Sequence, residues 1–360
     1  MYHSFEVRNF RCFRELTIPD LARVNLIAGV NNVGKTALLE SLFLHCGAYN
    51  PELAMRLSAF RGFESMKIQL GRWAEAPWDS IFNAFDMSKK VELVGVNESS
   101  GRRTLTLRVV RDPEELAKLG QFVEHDPQKI EKGFMSLEST QVLELEYDQE
   151  GKRGRYLLIL DRQRPRTEPI PPPPPFPAFY LGSRSGLPFE EEAERFGKLQ
   201  VRGEDEVALE VLQIIEPRLT RLAVVIAMGQ PVLHGDIGLG RLIPLPVMGG
   251  GMVRLANWVV TIANAQGGVL LVDEIENGLH HSILDKVWLA IGEAARKFNA
   301  QVFATTHSLE CIMAAHRAFT KSGVYDFHLH RLERVEDSIR TLTYDGETLA
   351  AALETGLEVR

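Results

Sequence analysis

Apolar and polar positions along this chain repeat with two periods, and the switches between them mark the elements. Residues 2 to 8 and 14 to 18 alternate apolar with polar side chains, as strands with one buried face do, and Asn9-Phe10-Arg11-Cys12-Phe13 joins them. Val24-Asn25-Leu26-Ile27-Ala28 is a short, nearly continuous apolar run that predicts a buried strand, and residues 37 to 44 follow with helical spacing. The three strands together are expected to open a sheet of mixed direction. Between 50 and 87, Trp73, Trp78, Phe82 and Phe85 stand among charges and predict helices with loops. Residues 90 to 96, 103 to 110, 140 to 147 and 155 to 160 are β-rich, with turn signals at Glu98-Ser99-Ser100-Gly101 and Asp148-Gln149-Glu150-Gly151, and predict hairpins of an antiparallel lobe. A Glu- and Lys-rich helical pattern over 112 to 138 reads as an inserted element.

From Asp161 to Pro177 the periodicity stops, because the proline run 171 to 175 can only be extended, and the segment reads as a stiff surface connector. An SH3-type ligand is the other use of such a run, but here it lies between two core elements and not in a tail. Ala178-Phe179-Tyr180-Leu181 returns to a sheet, two helices follow over 188 to 199 and 204 to 215, and 219 to 227 with 231 to 237 predict a hairpin around Gly229. A helix is expected over 253 to 265. Gly268 to Glu274 is an apolar run ending in two carboxylates, and Ala300 to His307 is a second buried run with a polar tip. Helices over 281 to 297 and from Leu309 separate these runs, and parallel strands alternating with helices specify an α/β core. A hairpin over 326 to 332 and 338 to 344 and a helix from Glu347 close the chain, and no internal repeat is found.

Composition narrows the class. At 360 residues with 45% hydrophobic content the chain can bury a sizeable core. Its first residues lack a signal-peptide pattern, and no run approaches the ~18 apolar residues of a membrane span, so a cytoplasmic protein without membrane partners is expected. Cys12, Cys46 and Cys311 are far apart without metal spacing, which predicts reduced thiols. A net charge of -7 gives no global attraction to nucleic acid. The cluster Lys152, Arg153, Arg155, Arg162, Arg164 and Arg166 is then either a local DNA contact or a solvated hairpin face.

Between the strand 24 to 28 and the helix after it stands Gly29-Val30-Asn31-Asn32-Val33-Gly34-Lys35-Thr36, which fits the phosphate-binding spacing GxxxxGK[ST]. Gly29 and Gly34 let the backbone curl so that N–H groups along Asn31, Asn32, Val33 and Gly34 face one anion, and the helix start at Ala37 adds its positive end. Lys35 would bridge the β- and γ-phosphates and the Thr36 hydroxyl would ligate Mg²⁺. Asp273 would hold Mg²⁺ and Glu274 would activate the attacking water, because adjacent carboxylates at a buried strand end need a cation or solvent to offset desolvation. His307, at the next strand tip, would donate to the γ-phosphate and sense its presence.

The order of these motifs resembles the ABC-type ATPase heads of SMC, RecF and OLD (overcoming lysogenization defect) proteins, with the small OLD-like, AAA-15-type ATPases nearest. The resemblance covers nearly the whole chain: Asn9-Phe10-Arg11, the Walker A loop, Walker B at Leu270 to Glu274, the run Asp273 to His280, and Thr305-Thr306-His307-Ser308 as the switch. It implies one P-loop NTPase head of ABC type, with a mixed central sheet, an antiparallel β lobe and a helical lobe. Its core and β lobe would comprise 1–46, 88–111, 139–182 and 219–360, with helical insertions at 47–87, 112–138 and 183–218. The resemblance further implies ATP and Mg²⁺ as ligands and slow ATP hydrolysis. Arg11 would reach the phosphates, Asn277 to His280 would be a D-loop touching a partner, and a head-to-tail homodimer or higher homo-oligomer would form. In it Gly249, Gly250 and Gly251 would complete the partner's site as the counterpart of the LSGGQ signature, although its serine is absent and the bland reading is an ordinary loop before a helix. No glutamine stands at the expected Q-loop, Gly182-Ser183-Arg184. About fifty residues follow His307, too few for the TOPRIM domain of OLD nucleases, so any nuclease is expected as a separate protein. A small kinase or GTPase is disfavoured, since no NKxD motif occurs. Three functions stay open: a DNA-directed ATPase in repair or anti-phage defence, an ATP-occupied switch or scaffold for a partner effector, and a RecF-like loader on DNA.

Overall fold

The strand Val24–Ala28 is buried along its whole length, and its neighbours explain why its sequence is apolar on both faces. The computed structural model describes residues 1–60, 76–98, 101–112, 114–116, 141–160, 165–183 and 187–360. The chain forms two compact units, Met1–Ser4, Ile18–Leu39 and Phe176–Arg360 in one, Phe5–Thr17 and Glu40–Pro175 in the other.

The first unit is built on a six-stranded mixed sheet. Its strands are β3 (Val24–Ala28), β9 (Ala178–Leu181), β13 (Val269–Val272), β14 (Gln301–Thr305), β15 (Phe327–Val335) and β16 (Ser338–Tyr344), in the order β16-β15-β3-β14-β13-β9. β15, β3, β14, β13 and β9 run parallel, and only the edge strand β16 is antiparallel. Val272 pairs with Ala304 and Thr305 pairs with Ile27, so the C-terminal ends of β13, β14 and β3 lie level. Ligands of open α/β sheets bind beyond such ends. Helices α1 (Lys35–Cys46), α3 (Phe189–Arg202), α4 (Asp205–Leu212), α5 (Gly250–Asn264), α6 (Leu284–Lys297), α7 (Leu309–Ser322) and α8 (Gly346–Glu354) alternate with strands, and one core cluster joins Leu26, Leu270 and Val302 to Leu255, Trp288 and Ile312. A separate three-stranded sheet, β10 (Arg221–Ala227), β11 (Gln230–Asp236) and β12 (Ile243–Pro244), leads into α5.

The second unit holds a seven-stranded sheet of order β2-β1-β4-β5-β6-β7-β8, comprising β1 (Tyr2–Phe10), β2 (Phe13–Ile18), β4 (Val91–Asn97), β5 (Gly101–Val110), β6 (Gln141–Gln149), β7 (Lys152–Leu160) and β8 (Pro165–Glu168), antiparallel from β4 to β8. Helix α2 (Leu53–Phe60) and two 3-10 turns at Asp79–Ile81 and Asn83–Phe85 stand for the expected helices of 50 to 87, while 61 to 75, with Trp73, lies outside the described residues. So does most of the helical pattern over 112 to 138, as do Arg162, Arg164 and Arg184.

Three expectations are corrected. β1 and β2 do not share a sheet with β3: their alternating pattern suits the largely antiparallel sheet, whereas β3 needs two covered faces and joins the parallel one. The segment 161 to 177 is not connector throughout, since β8 pairs with β7 as an edge strand, where a leading proline is tolerated. The helix expected from Val253 begins at Gly250, which puts Gly250 and Gly251 in its first turn.

Candidate functional site

The loop between β3 and α1 is shaped by its glycines. Gly29 has φ +145° and Gly34 φ +110°, backbone that side chains disfavour, and Asn32 takes φ +63°, which asparagine tolerates. Val30, Asn31 and Asn32 are exposed, Val33 is buried beneath them, and α1 starts at Lys35. A helix leaves its first N–H groups unpaired, so those of Lys35, Thr36 and Ala37 supply anion donors at the level of the loop. The Lys35 ammonium donates to the carbonyl oxygens of Gly29 at 2.7 Å and Val30 at 3.1 Å. Burial lowers its pKa, opposed by the carboxylates of Glu276, Asp273 and Glu274. One cation thus faces three acids.

Beyond β13, Asp273 is the point where the strand tips converge. Its carboxylate accepts from Thr36 Oγ1 at 3.1 Å through each oxygen and from Thr305 Oγ1 at 2.6 Å through Oδ1. The Thr305 hydroxyl in turn accepts the Glu274 N–H at 2.7 Å. The start of α1, the residues just past β13 and the end of β14 are therefore tied by side chains at the level where the ladder ends. Burial raises the Asp273 pKa, the hydrogen bonds from Thr305 and Thr36 counter it, and the neighbouring Glu274 charge raises it further. A carboxylate beside a hydroxyl is a hard oxygen pair of the kind Mg²⁺ takes, and the donor set fits that ion.

Glu274 has φ +50°, which turns the chain sharply out of the strand, and its Oε2 accepts from Asn277 Nδ2 at 2.5 Å. Glu276 Oε1 accepts the His307 backbone N–H at 2.9 Å and lies 3.1 Å from His307 Nδ1. His307 is half exposed. Asn277 and Leu279 N–H groups donate back to Glu274 and Glu276 carbonyls, so residues 274 to 279 form successive tight turns. Gly278 has φ +70° and sits against the Arg254 guanidinium of α5.

The glycines at the start of α5 differ in their surroundings. Gly249 and Gly250 are exposed, and Gly249 takes φ +114°. Gly251 packs so closely on Ile283 that a Cβ would approach its Cδ1 to 2.8 Å. No side chain caps this helix start. Arg11 and Glu40 both belong to the second unit, where the Arg11 Nε lies 2.6 Å from Glu40 Oε2; Arg11 takes φ +49°, and its guanidinium stands 5.7 Å from the Phe10 ring.

The structure thus brings Lys35, Thr36, Asp273 and Glu274 together, with His307 joined to them through Glu276. Thr305 and Glu276 were not assigned from sequence. Thr305 lay inside the run quoted as the switch, Thr305 to Ser308, and Glu276 inside the run from Asp273 to His280, but neither was given a role of its own.

Several known proteins are similar to this chain. A 20% identical relative, the ATP/GTP phosphatase of Helicobacter pylori, aligns over 97% of this chain and 97% of its own length. An uncharacterized protein of Methanocaldococcus jannaschii is 42% identical over 48 residues, 13% of this chain and 22% of that protein. Among solved structures, an Smc head bound to the C-winged helix domain of ScpA is 11% identical over 97% of this chain and 99% of its own, with a TM-score of 0.48. An Smc head with an extended coiled coil, bound to the C-terminal domain of ScpA from Pyrococcus furiosus, is 10% identical over 98% of each chain, with a TM-score of 0.49. The family described as "AAA domain, putative AbiEii toxin, Type IV TA system" matches residues 24–313, from the strand before the phosphate loop to the helix after His307. The chain belongs to this AAA-domain family, a family of P-loop ATPases.

Proposed function

We propose that the chain binds ATP with Mg²⁺ at the loop 29 to 37, hydrolyses it slowly, and uses ATP occupancy to close a head-to-tail dimer that switches a partner effector. The observation that carries this reading is the convergence of Thr36 and Thr305 on Asp273, with Glu274 next in the chain and Lys35 on the same helix turn. Lys35 and the first N–H groups of α1 hold the β- and γ-phosphates. Thr36 and Asp273 would hold Mg²⁺, whose charge would offset that building on the leaving phosphate. Glu274, steadied by Asn277, orients a water and takes its proton as the water oxygen bonds to the γ-phosphorus and the bond to the bridging oxygen breaks, leaving ADP and phosphate. His307 contacts the γ-phosphate. Gly249, Gly250 and Gly251 face the partner's nucleotide through backbone N–H groups.

We place the chain nearest the OLD-like ATPases on the run Asp273 to His280, and in a reducing compartment such as the cytoplasm on the wide sequence separation of Cys12, Cys46 and Cys311. The process served is anti-phage defence or DNA repair. A protein effector is favoured over direct DNA reading at the hairpin cluster, because Arg153 is paired with Asp148 and Arg155 with Glu144 and Glu115. The family description, which names a toxin of a toxin–antitoxin system, supports the same choice. Fluorescent-nucleotide binding and phosphate release test the reading. Lys35→Ala is expected to lose ATP binding, and Glu274→Gln to keep it while hydrolysis falls by about 10² or more. Undiminished hydrolysis by Glu274→Gln would overturn the assignment of the base.

A further inference from the structure

Glu276 has no part in the reading above, yet its surroundings are more specific than those of His307. Its side chain is 11% exposed. A single oxygen, Oε1, takes both the His307 backbone N–H at 2.9 Å and the contact from His307 Nδ1 at 3.1 Å. The other, Oε2, is buried without a hydrogen-bond partner. A buried carboxylate oxygen left unpaired is costly, and an apolar residue would avoid that cost. What an ionised carboxylate offers that an apolar residue or a glutamine does not is an acceptor-only group: it accepts a hydrogen bond from Nδ1–H and has no proton to donate.

We propose that Glu276 is a positioning residue that fixes His307 in its Nδ1–H tautomer and in one ring orientation, so that Nε2 is the nitrogen presented to the substrate. The inference rests on His307 acting at the γ-phosphate. In the neutral ring Nε2 then accepts a hydrogen bond from the attacking water, whose proton goes to Glu274, and only the imidazolium donates to a phosphate oxygen. An imidazole is oriented by whatever its other nitrogen binds, as in carboxylate–histidine pairs generally. Here the same oxygen also pins the His307 backbone, so ring and main chain are held as one piece.

Two-bond ¹H–¹⁵N correlation spectra of histidine-labelled, nucleotide-free protein test this, with the His307→Ala spectrum assigning the signal. The expected wild-type result is protonated Nδ1 and bare Nε2 in the neutral ring, and Glu276→Gln is expected to shift the ring toward the Nε2–H tautomer. In steady-state kinetics Glu276→Gln should lower kcat about tenfold to a hundredfold with KM little changed. The same substitution placed in His307→Ala should cause no further loss. An Nε2–H tautomer in the wild type, or losses that multiply in the double variant, would overturn the proposal. If Glu276→Gln does not fold, the wild-type spectrum alone decides it. If the wild type hydrolyses no ATP, the functional reading fails while the tautomer still reports on Glu276.

Discussion

A methyl group at position 29 would sit 2.6 Å from the Leu332 carbonyl oxygen and 2.8 Å from Val33 Cγ1, on backbone at φ +145°. Neither neighbour can retreat easily, since the carbonyl belongs to β15 and Val33 is buried under the loop. Gly29→Ala is expected to destabilise the protein by roughly 2–4 kcal/mol, combining strain at a glycine-only conformation with a backbone clash. Thermal unfolding measures it, and an unchanged midpoint would contradict the packing. Glu192 on α3 gives a second test at this scale. It is buried, and desolvation pushes its carboxyl up to about 7. The folded state therefore keeps a proton that the unfolded chain releases above its ordinary value near 4.5. Stability should fall as pH rises from there through 7, by up to about 3 kcal/mol, and level off above. Glu192→Gln removes that slope, so urea unfolding at pH 5 and pH 8 should show the variant gaining on the wild type only at the higher pH. Residue-scale chemistry was legible where spacing carries it: Gly29, Lys35, Thr36 and Asp273 announce themselves. Thr305 did not, because a threonine at a strand end has many uses and only the register of β14 against β13 brings its hydroxyl to Asp273.

At the scale of elements, the parallel core was legible because each strand is an apolar run with a polar tip. Sheet membership was not. Alternation states that a strand has one buried face, but not which sheet owns it, and β1 and β2 went to the larger sheet. The basic hairpin shows the same limit. Counting Lys and Arg along 152 to 166 suggested a phosphate-binding face, whereas the register sets Arg108 opposite Glu144 and Arg155 opposite Glu146. Glu144, fully buried, accepts from Arg108 at 2.8 Å and Arg155 at 2.5 Å. Its charge is what lets two guanidinium groups sit side by side. Glu144→Gln should cost about 1–3 kcal/mol in chemical denaturation, less than the loss of a fully buried partner because Arg108 and Arg155 both reach solvent. Unchanged stability would mean that solvent already screens the pair.

At the scale of the whole molecule the claim to test is that one copy's α5 start completes another copy's site, and the three glycines there are not equivalent tools. Gly249 holds φ +114°, and Gly251 packs on Ile283, so substitutions at either confuse folding with function. Gly250 has nothing within 4 Å of where a Cβ would sit and is exposed. An aspartate there suits the first turn of a helix, worth about 0.3–1 kcal/mol, so Gly250→Asp should melt no lower than the wild type and bind ATP normally as a monomer. Its carboxylate would nonetheless meet a γ-phosphate head-on. Light scattering should show ATP-dependent dimers of Glu274→Gln and none of Gly250→Asp combined with Glu274→Gln. Mixing makes the geometry decisive. Lys35→Ala spoils a copy's own loop and Gly250→Asp spoils the surface it lends, so each variant alone should be inactive. A head-to-tail pair of one each contains one site with an intact loop from the Gly250→Asp copy and an intact α5 start from the Lys35→Ala copy. Phosphate release should therefore return on mixing, to no more than about half the wild-type rate per dimer, and no recovery would show that each copy closes its site alone.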